Sequence, residues 1–230
     1  MFYLESRWIV ESLSPLARDI QRAIDVGAGG DRYASRPQNQ AVYSFLAQYH
    51  IALSTLDNDQ KSTCDYHHDI AEELDLPSLM PTFDLVLCTS VLEHVTDIPR
   101  AKRNLVSLVG PNGYLVVTVP NRYPRHRKPI DNGYRPTAGD LELLFPELSV
   151  VRSETIEPKR DKWFHWCIFP PGISTPKVTC ALFKRSSEAK PRRNDILPKL
   201  AGGTKPFRLQ PNPSPARLNG AFPDKRSTKS

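Results

Sequence analysis

Phe83-Asp-Leu-Val-Leu-Cys88 and, further on, Tyr114-Leu-Val-Val-Thr-Val119 bracket the segment whose reading decides the fold. Each is a short, nearly unbroken apolar run, the pattern of a strand buried on both faces of a parallel sheet. Between them Ile98, Ala101, Leu105 and Leu108 recur at helical spacing and predict a helix that stops at Gly110-Pro-Asn-Gly113, a turn signal. Strand, helix, strand in this order is the unit from which parallel sheets are built. Tyr114–Val119 is read as the fifth strand, ended by Pro120.

The same alternation extends in both directions. Tyr3, Leu4, Trp8 and Ile9 predict a short amphipathic helix, and Ala23-Ile-Asp-Val26 a buried strand running into Gly27-Ala-Gly-Gly30. A helical pattern through Ala41, Phe45, Leu46 and Tyr49 leads to a second apolar run, Ile51 to Leu56, ending at Asp57. A shorter extended piece ends at His68-Asp69. Toward the C-terminus Thr137 is placed to cap a helix over Asp140–Phe145, and Leu148–Ile156 and Val178–Phe183 read as two final strands, antiparallel in one arrangement. The expectation is an α/β chain: a Rossmann-like, doubly wound, mostly parallel sheet of about seven strands with helices on both faces.

The chain's net charge of +6 is unevenly spread. Residues 184–230 hold 12 Lys and Arg against 3 Asp and Glu, leaving 19 against 22 for residues 1–183, so the first part is mildly acidic. The tail also holds seven prolines and no apolar periodicity, a composition that buries too little surface to offset the entropy of ordering. Residues 1–185 are therefore expected to form one domain and 186–230 a disordered basic extension. Docking of that extension on nucleic acid or an anionic membrane, and a purely solubilising role, both remain open. No run approaches the ~20 apolar residues of a membrane helix. Glu5, Arg7 and Glu11 interrupt the N-terminus where a signal peptide would be apolar. Cys64, Cys88, Cys167 and Cys180 form no C-x-x-C pair, which argues against a zinc site or disulfide framework and for a reducing, cytoplasmic setting.

Chemistry concentrates at the predicted strand ends. Asp25-Val-Gly27-Ala-Gly29 follows a strand and opens a helix; glycine there permits a sharp turn and close approach of a ligand, although a plain tight turn uses the same residues. Asp57 closes the second strand, where a carboxylate accepts hydrogen bonds from ribose hydroxyls or simply caps a turn. Asp69 stands where an adenine amino group would be received, or is a surface acid beside Glu72 and Glu73.

In order and spacing, Asp25-Val-Gly-Ala-Gly-Gly, Asp57, Asp69, Phe83 to His94 and Gly110 to Asn121 resemble the class I S-adenosylmethionine-dependent methyltransferases over roughly residues 20–150. Tyr123 to Thr137 is similar to the loop after the fifth strand in bacterial members linked to glycan or cell-surface biosynthesis. The resemblance implies that Asp25, Gly27 and Gly29 shape a pocket for the methionine part of S-adenosylmethionine. It further implies that Asp57 holds the ribose and Asp69 the adenine, and that Thr89 and Ser90 lie beside the sulfonium. The family's usual third glycine is Asp31 here. His94, His126 and Asp131 are the candidate general bases, needed when the acceptor is a hydroxyl or protonated amine; a structural or cofactor-positioning role is the more frequent one for His94, and His126 reads also as a member of the solvated basic loop with Arg122, Arg125, Arg127 and Lys128. Arg125, Arg127 and Arg135 suit a phosphate or carboxylate on a small-molecule or glycan-type acceptor; a solvated charge cluster is the plain alternative. Lys159, Arg160, Lys162 and the aromatic segment Trp163, Phe164, Trp166, Phe169 stand near the same edge. No metal is expected. Two other classes stay in view: a catalytically silent S-adenosylmethionine-binding scaffold, and a nicotinamide-dependent oxidoreductase. The latter is disfavoured because Arg32 stands where the last glycine of G-x-G-x-x-G belongs.

Overall fold

Alternating apolar strands and amphipathic helices bury themselves most completely as a sheet covered on both faces. In the computed structural model, which describes residues 3–30, 34–74, 83–125, 131–157 and 176–187, they do so. The helices are α1 (Tyr3–Leu13), followed by a 3-10 turn over Ser14–Asp19, α2 (Pro37–Gln48), α3 (Ile98–Leu108) and α4 (Ala138–Leu144). The strands are β1 (Arg22–Val26), β2 (Ala52–Asp57), β3 (Tyr66–His67), β4 (Phe83–Thr89), β5 (Val109–Arg122), β6 (Ser149–Ile156) and β7 (Lys177–Lys184). They form one seven-stranded sheet in the order β3-β2-β1-β4-β5-β7-β6. Neighbours from β3 to β5 are parallel, whereas β7 runs antiparallel to both β5 and β6.

The period of two along each strand sends alternate side chains to two cores. Leu115, Val117 and Val119 of β5 join α3 and α4 through Leu105, Leu141 and Phe145, while Tyr114 and Val116 join α1 and α2 through Ile9, Val42 and Leu46. Each buried Leu or Phe contributes about 1.5–3 kcal/mol. The helix start foreseen at Thr137 is present, in a reciprocal box with Asp140, and α3 starts on a cap the sequence reading did not single out, Asp97, which accepts from the Arg100 N–H.

Strand order fixes where a ligand can sit. From β1 the chain steps outward to β2 and β3, then returns to place β4 on the other side of β1. Such a reversal opens a crevice at the carboxyl ends of β1 and β4. A nicotinamide-type sheet is parallel in the order 3-2-1-4-5-6; the antiparallel β7 wedged between β5 and β6 departs from that plan.

Two sequence expectations need correction. β5 begins at Val109, paired with Phe83, and residues 110–113 loop out as a bulge, with Asn112 at φ 59°, before pairing resumes at Tyr114. Nor does Pro120 end β5. It pairs with Val178 at the edge of a register shift, an irregularity that tolerates the missing N–H, and the strand runs on to Arg122. Among the described residues no helix is long and apolar enough to cross a membrane. Asp31, Arg32, His126, Arg127, the basic and aromatic segment 159–169 and the tail from residue 188 lie outside the described residues.

Candidate functional site

The loop after β1 is pinned from two sides. The N–H groups of Gly27 and Ala28 both donate to the Leu56 carbonyl at the end of β2, at 2.7 and 3.3 Å. Gly27 has φ +79°, and a Cβ there would stand 2.4 Å from Cγ2 of Val91 in the loop after β4. The backbone conformation and the close approach both require glycine. Gly29, at φ +67°, donates its N–H to Asp57 Oδ2 at 2.7 Å, while Asp57 Oδ1 accepts from the Asp59 N–H at 2.8 Å. Asp57 is thus 9% exposed and turned toward the glycine loop instead of bulk water. Each carboxylate oxygen keeps a second lone pair with which to accept from a ligand hydroxyl.

Asp25, on β1 just before this loop, is 4% exposed. Its Oδ2 accepts from the Tyr43 hydroxyl of α2 at 2.5 Å, and its Oδ1 is buried without a hydrogen-bond partner. Burial pushes its carboxyl up to about 6, against the Tyr43 hydrogen bond, with the charges of Asp57 and Glu5 adding to the rise. The Tyr43 hydroxyl is itself raised by burial and by Asp25.

Asp69, two residues beyond β3, is half-buried; its Oδ1 accepts from the Ala71 N–H at 2.8 Å and its carbonyl from Glu72. Its carboxylate therefore shapes a tight turn and stands beside the buried Ile70.

Past β4, Ser90 takes a left-handed conformation (φ 55°), an uncommon state for this residue type that recurs where function constrains the backbone. Its N–H donates to the Thr118 carbonyl at 2.9 Å and its hydroxyl to Glu5 Oε1 at 3.4 Å. The Thr118 hydroxyl donates to the same Glu5 oxygen. Glu5 reaches the sheet from α1 and is 0% exposed. Thr89 is half-buried beside Ser90 in sequence. Glu93 is 2% exposed, with Oε2 unpartnered. Burial raises its carboxyl to about 8, opposed by a backbone hydrogen bond and by Arg135, and reinforced by Glu5.

His94 Nε2 stands 3.7 Å from Glu93 Oε1. The imidazole borders a cleft of about 580 Å³ that Ile98, Pro99, Asn132 and Tyr134 also line. The cleft's far wall comes from the loop after β5, which is stitched to the loop after β4. Asn132 donates through Nδ2 to the carbonyls of Leu92 (2.8 Å) and Val95 (2.9 Å), and through its N–H to that of Glu93 (2.8 Å). Asp131 is ion-paired with Arg135 at 2.5 Å and accepts from the Gly133 N–H. Arg135 also donates to the Tyr134 carbonyl, and Arg125 to that of Asp131 at 3.4 Å.

The structure therefore brings Asp25, Gly27, Gly29 and Asp57 together at the ends of β1 and β2, with Thr89 and Ser90 at the adjoining end of β4 and Asp69 after β3. His94, Asp131, Arg125 and Arg135 gather on the neighbouring loops; His126 and Arg127 lie outside the described residues. Glu5, Tyr43, Glu93 and Asn132 carry no assigned role in the sequence reading. Glu5 looked like one charge among several on an amphipathic helix, and its partner Thr118 is 113 residues away. Glu93 did carry a signal, an acid one position beyond Leu92 in an apolar loop.

A family model described as a methyltransferase domain matches residues 5–157. The mitochondrial arginine-hydroxylase NDUFAF5 of Rattus norvegicus is 31% identical over 108 residues, 47% of this chain and 31% of that protein. A ubiquinone biosynthesis O-methyltransferase from Rickettsia felis is 28% identical over 121 residues, 50% of this chain and 48% of that protein. The chain thus spans about a third to a half of these relatives' lengths. Among solved structures, a candidate sarcosine dimethylglycine methyltransferase from Galdieria sulphuraria superposes with a TM-score of 0.51 at 14% identity, covering 79% of this chain and 85% of that one.

Proposed function

The chain belongs to the methyltransferase-domain family, and from that premise we propose that it is an enzyme moving a methyl group from S-adenosylmethionine to a hydroxyl of a small acceptor bearing an anionic group. One observation carries the reading. Asp25, dry and with an unpartnered Oδ1, lies on the strand that leads into a glycine loop packed too closely on Val91 for a side chain at Gly27, and Asp57 is held against that loop. A buried anion with an unused acceptor suits a cationic ligand group such as an α-ammonium.

The residues fit the cofactor part by part. Asp25 would take the ammonium, Gly27 and Gly29 leave room for the methionine chain, Asp57 receives the ribose hydroxyls and Asp69 the adenine amino group. Thr89 and Ser90 would lie by the sulfur. When bound, S-adenosylmethionine supplies a methyl group already activated by its sulfonium centre. The protein's own task is then to align the acceptor and exclude water, for which orientation alone supplies about 7–11 kcal/mol of barrier lowering. We assign acceptor binding to the cleft beside His94 and Tyr134. There His94, whose Nε2 stands 3.7 Å from Glu93 Oε1, takes the hydroxyl proton. Asp131 enters through Arg135, which it orients, with Arg125 and Arg127 completing a clamp for the acceptor's phosphate or carboxylate. The name of the Rickettsia felis relative supports oxygen as the nucleophile. The relatives compared give no support to a glycan acceptor.

Incubation with methyl-labelled cofactor and a panel of phenols, carboxylated phenols and sugar phosphates tests the proposal. Label transfer to a hydroxyl is expected, with acceptor KM rising at least tenfold in Arg125→Ala/Arg127→Ala. Cofactor binding without transfer to any acceptor in the panel or in a cell extract would favour a silent scaffold.

A further inference from the structure

β1 divides its side chains between the two faces of the sheet. Ile24 and Val26 join the core under α3 and α4, Ala23 the core under α1 and α2, so the strand period turns Asp25 toward α2. There it meets Tyr43, a half-buried residue whose ring packs on the same core as Val42, Phe45 and Leu46. The Tyr43 hydroxyl donates its one hydrogen to Asp25 Oδ2 at 2.5 Å. One oxygen of the planar carboxyl is thereby committed to α2, and the other, Oδ1, is buried without a hydrogen-bond partner.

A phenol here does two things that a ring filling space would not. It holds the carboxyl in one orientation, and as a donor it favours the ionised form. The surroundings of Asp25 pull in both directions. Burial raises its carboxyl, with Asp57 of β2 and Glu5 of α1 adding to the rise, while the Tyr43 hydrogen bond and the N-terminal ammonium oppose it. Cys88 of β4 is raised by burial and by Glu93 and Asp25, and so stays an uncharged thiol. Tyr43 is raised by burial and by Asp25, so its hydroxyl keeps the shared hydrogen throughout the neutral range.

Resting on the reading that the crevice binds S-adenosylmethionine and that Asp25 takes its ammonium, we propose that Tyr43 is a positioning residue for the amino-acid end of the cofactor, holding Asp25 Oδ2 so that Oδ1 is the atom left to meet the ammonium. Tyr43 touches no ligand in this scheme and transfers no proton. Its influence is therefore confined to ligands that carry the amino-acid end, and the adenosine end, assigned to Asp57 and Asp69, does not depend on it.

The test is calorimetric titration of the full chain, wild type and Tyr43→Phe, with S-adenosylmethionine, S-adenosylhomocysteine and methylthioadenosine, a nucleoside thioether that lacks the amino-acid end. The substitution keeps the ring and removes the hydroxyl. At about pH 7 the variant should bind the first two about tenfold more weakly and methylthioadenosine within about twofold of wild type. The pH below which S-adenosylmethionine affinity declines should also rise by about one unit, because the lost hydrogen bond no longer opposes protonation of Asp25. In an Asp25→Asn background, where no carboxylate is left to orient, adding Tyr43→Phe should change affinity by no more than about twofold. Equal losses for all three ligands, no loss, an unmoved pH profile, or a variant that does not fold would overturn the inference by reducing Tyr43 to a structural contact, with the cofactor site still standing. Failure of wild type to bind S-adenosylmethionine or S-adenosylhomocysteine would overturn the parent reading, and this inference with it.

Discussion

Replacing Asp25 by asparagine should make the protein more stable and a poorer binder, and the two effects should depend on pH in opposite ways. The folded carboxyl holds its proton up to about pH 6, mainly because it is buried, whereas the ordinary aspartate value is 3.8. That gap corresponds to about 3 kcal/mol by which folding disfavours the ionised form. Above pH 6 the folded protein carries this full penalty; as pH falls from 6 toward 3.8 the folded state takes up a proton that the unfolded chain does not, and the penalty is relieved. The asparagine amide would have no charge to bury and could still accept from the Tyr43 hydroxyl. Urea denaturation should therefore find Asp25→Asn up to about 3 kcal/mol more stable at pH 8 and indistinguishable from wild type near pH 4. Cofactor binding runs the other way, because the ammonium prefers the ionised carboxylate. Wild-type affinity should fall by up to about tenfold per pH unit below pH 6, and the variant should be weaker at pH 8 without that component. A variant less stable than wild type at pH 8, or an unaltered binding profile, would refute the assignment of Asp25 as a dry anion awaiting a cation.

Other perturbations follow from the same geometry. Gly27→Ala forces a left-handed φ on alanine and drives its Cβ into Val91, so it should cost about 1–3 kcal/mol in thermal denaturation and weaken cofactor binding at least tenfold. Asp131→Ala leaves the largely buried Arg135 guanidinium unpaired and should cost about 3 kcal/mol in chemical denaturation; a loss under about 0.5 kcal/mol would reduce the pair to a surface contact. Thr137→Ala removes the hydroxyl half of the α4 cap, leaving the backbone N–H of that position to donate to Asp140, and should lower stability by about 1 kcal/mol with cofactor affinity unchanged. Truncation after Ser187 keeps the Arg185 bonds to the carbonyls of Val106 and Val109, and should leave cofactor affinity within about twofold while removing any salt-sensitive binding to nucleic acid.

Much of this fold was readable in advance because two of its strands are buried on both faces. The runs 83–88 and 114–119 have no polar face to disguise them, and the helix between them shows a clean apolar stripe. The bulge at 110–113 escaped because Pro-Asn-Gly reads equally as a turn between elements or as a kink within one. At the site, Asp25 and Asp57 were legible since an acid ending an apolar strand must point into a crevice or a turn. Glu5 was not, because its burial is decided by Thr118 and Ser90, which meet it only after α1 docks on the sheet. The tie between Asp131 and Arg135 was hidden for a similar reason: a basic cluster looks available for a ligand until the loop folds one member onto an acid.

Isothermal titration of the wild-type chain and of Asp57→Ala with S-adenosylmethionine measures the central claim most directly. The account predicts saturable binding at one site in wild type and a loss of about a hundredfold or more when Asp57 no longer joins the glycine loop to the ribose. Absence of binding in wild type, or undiminished affinity in a folded Asp57→Ala protein, would contradict it.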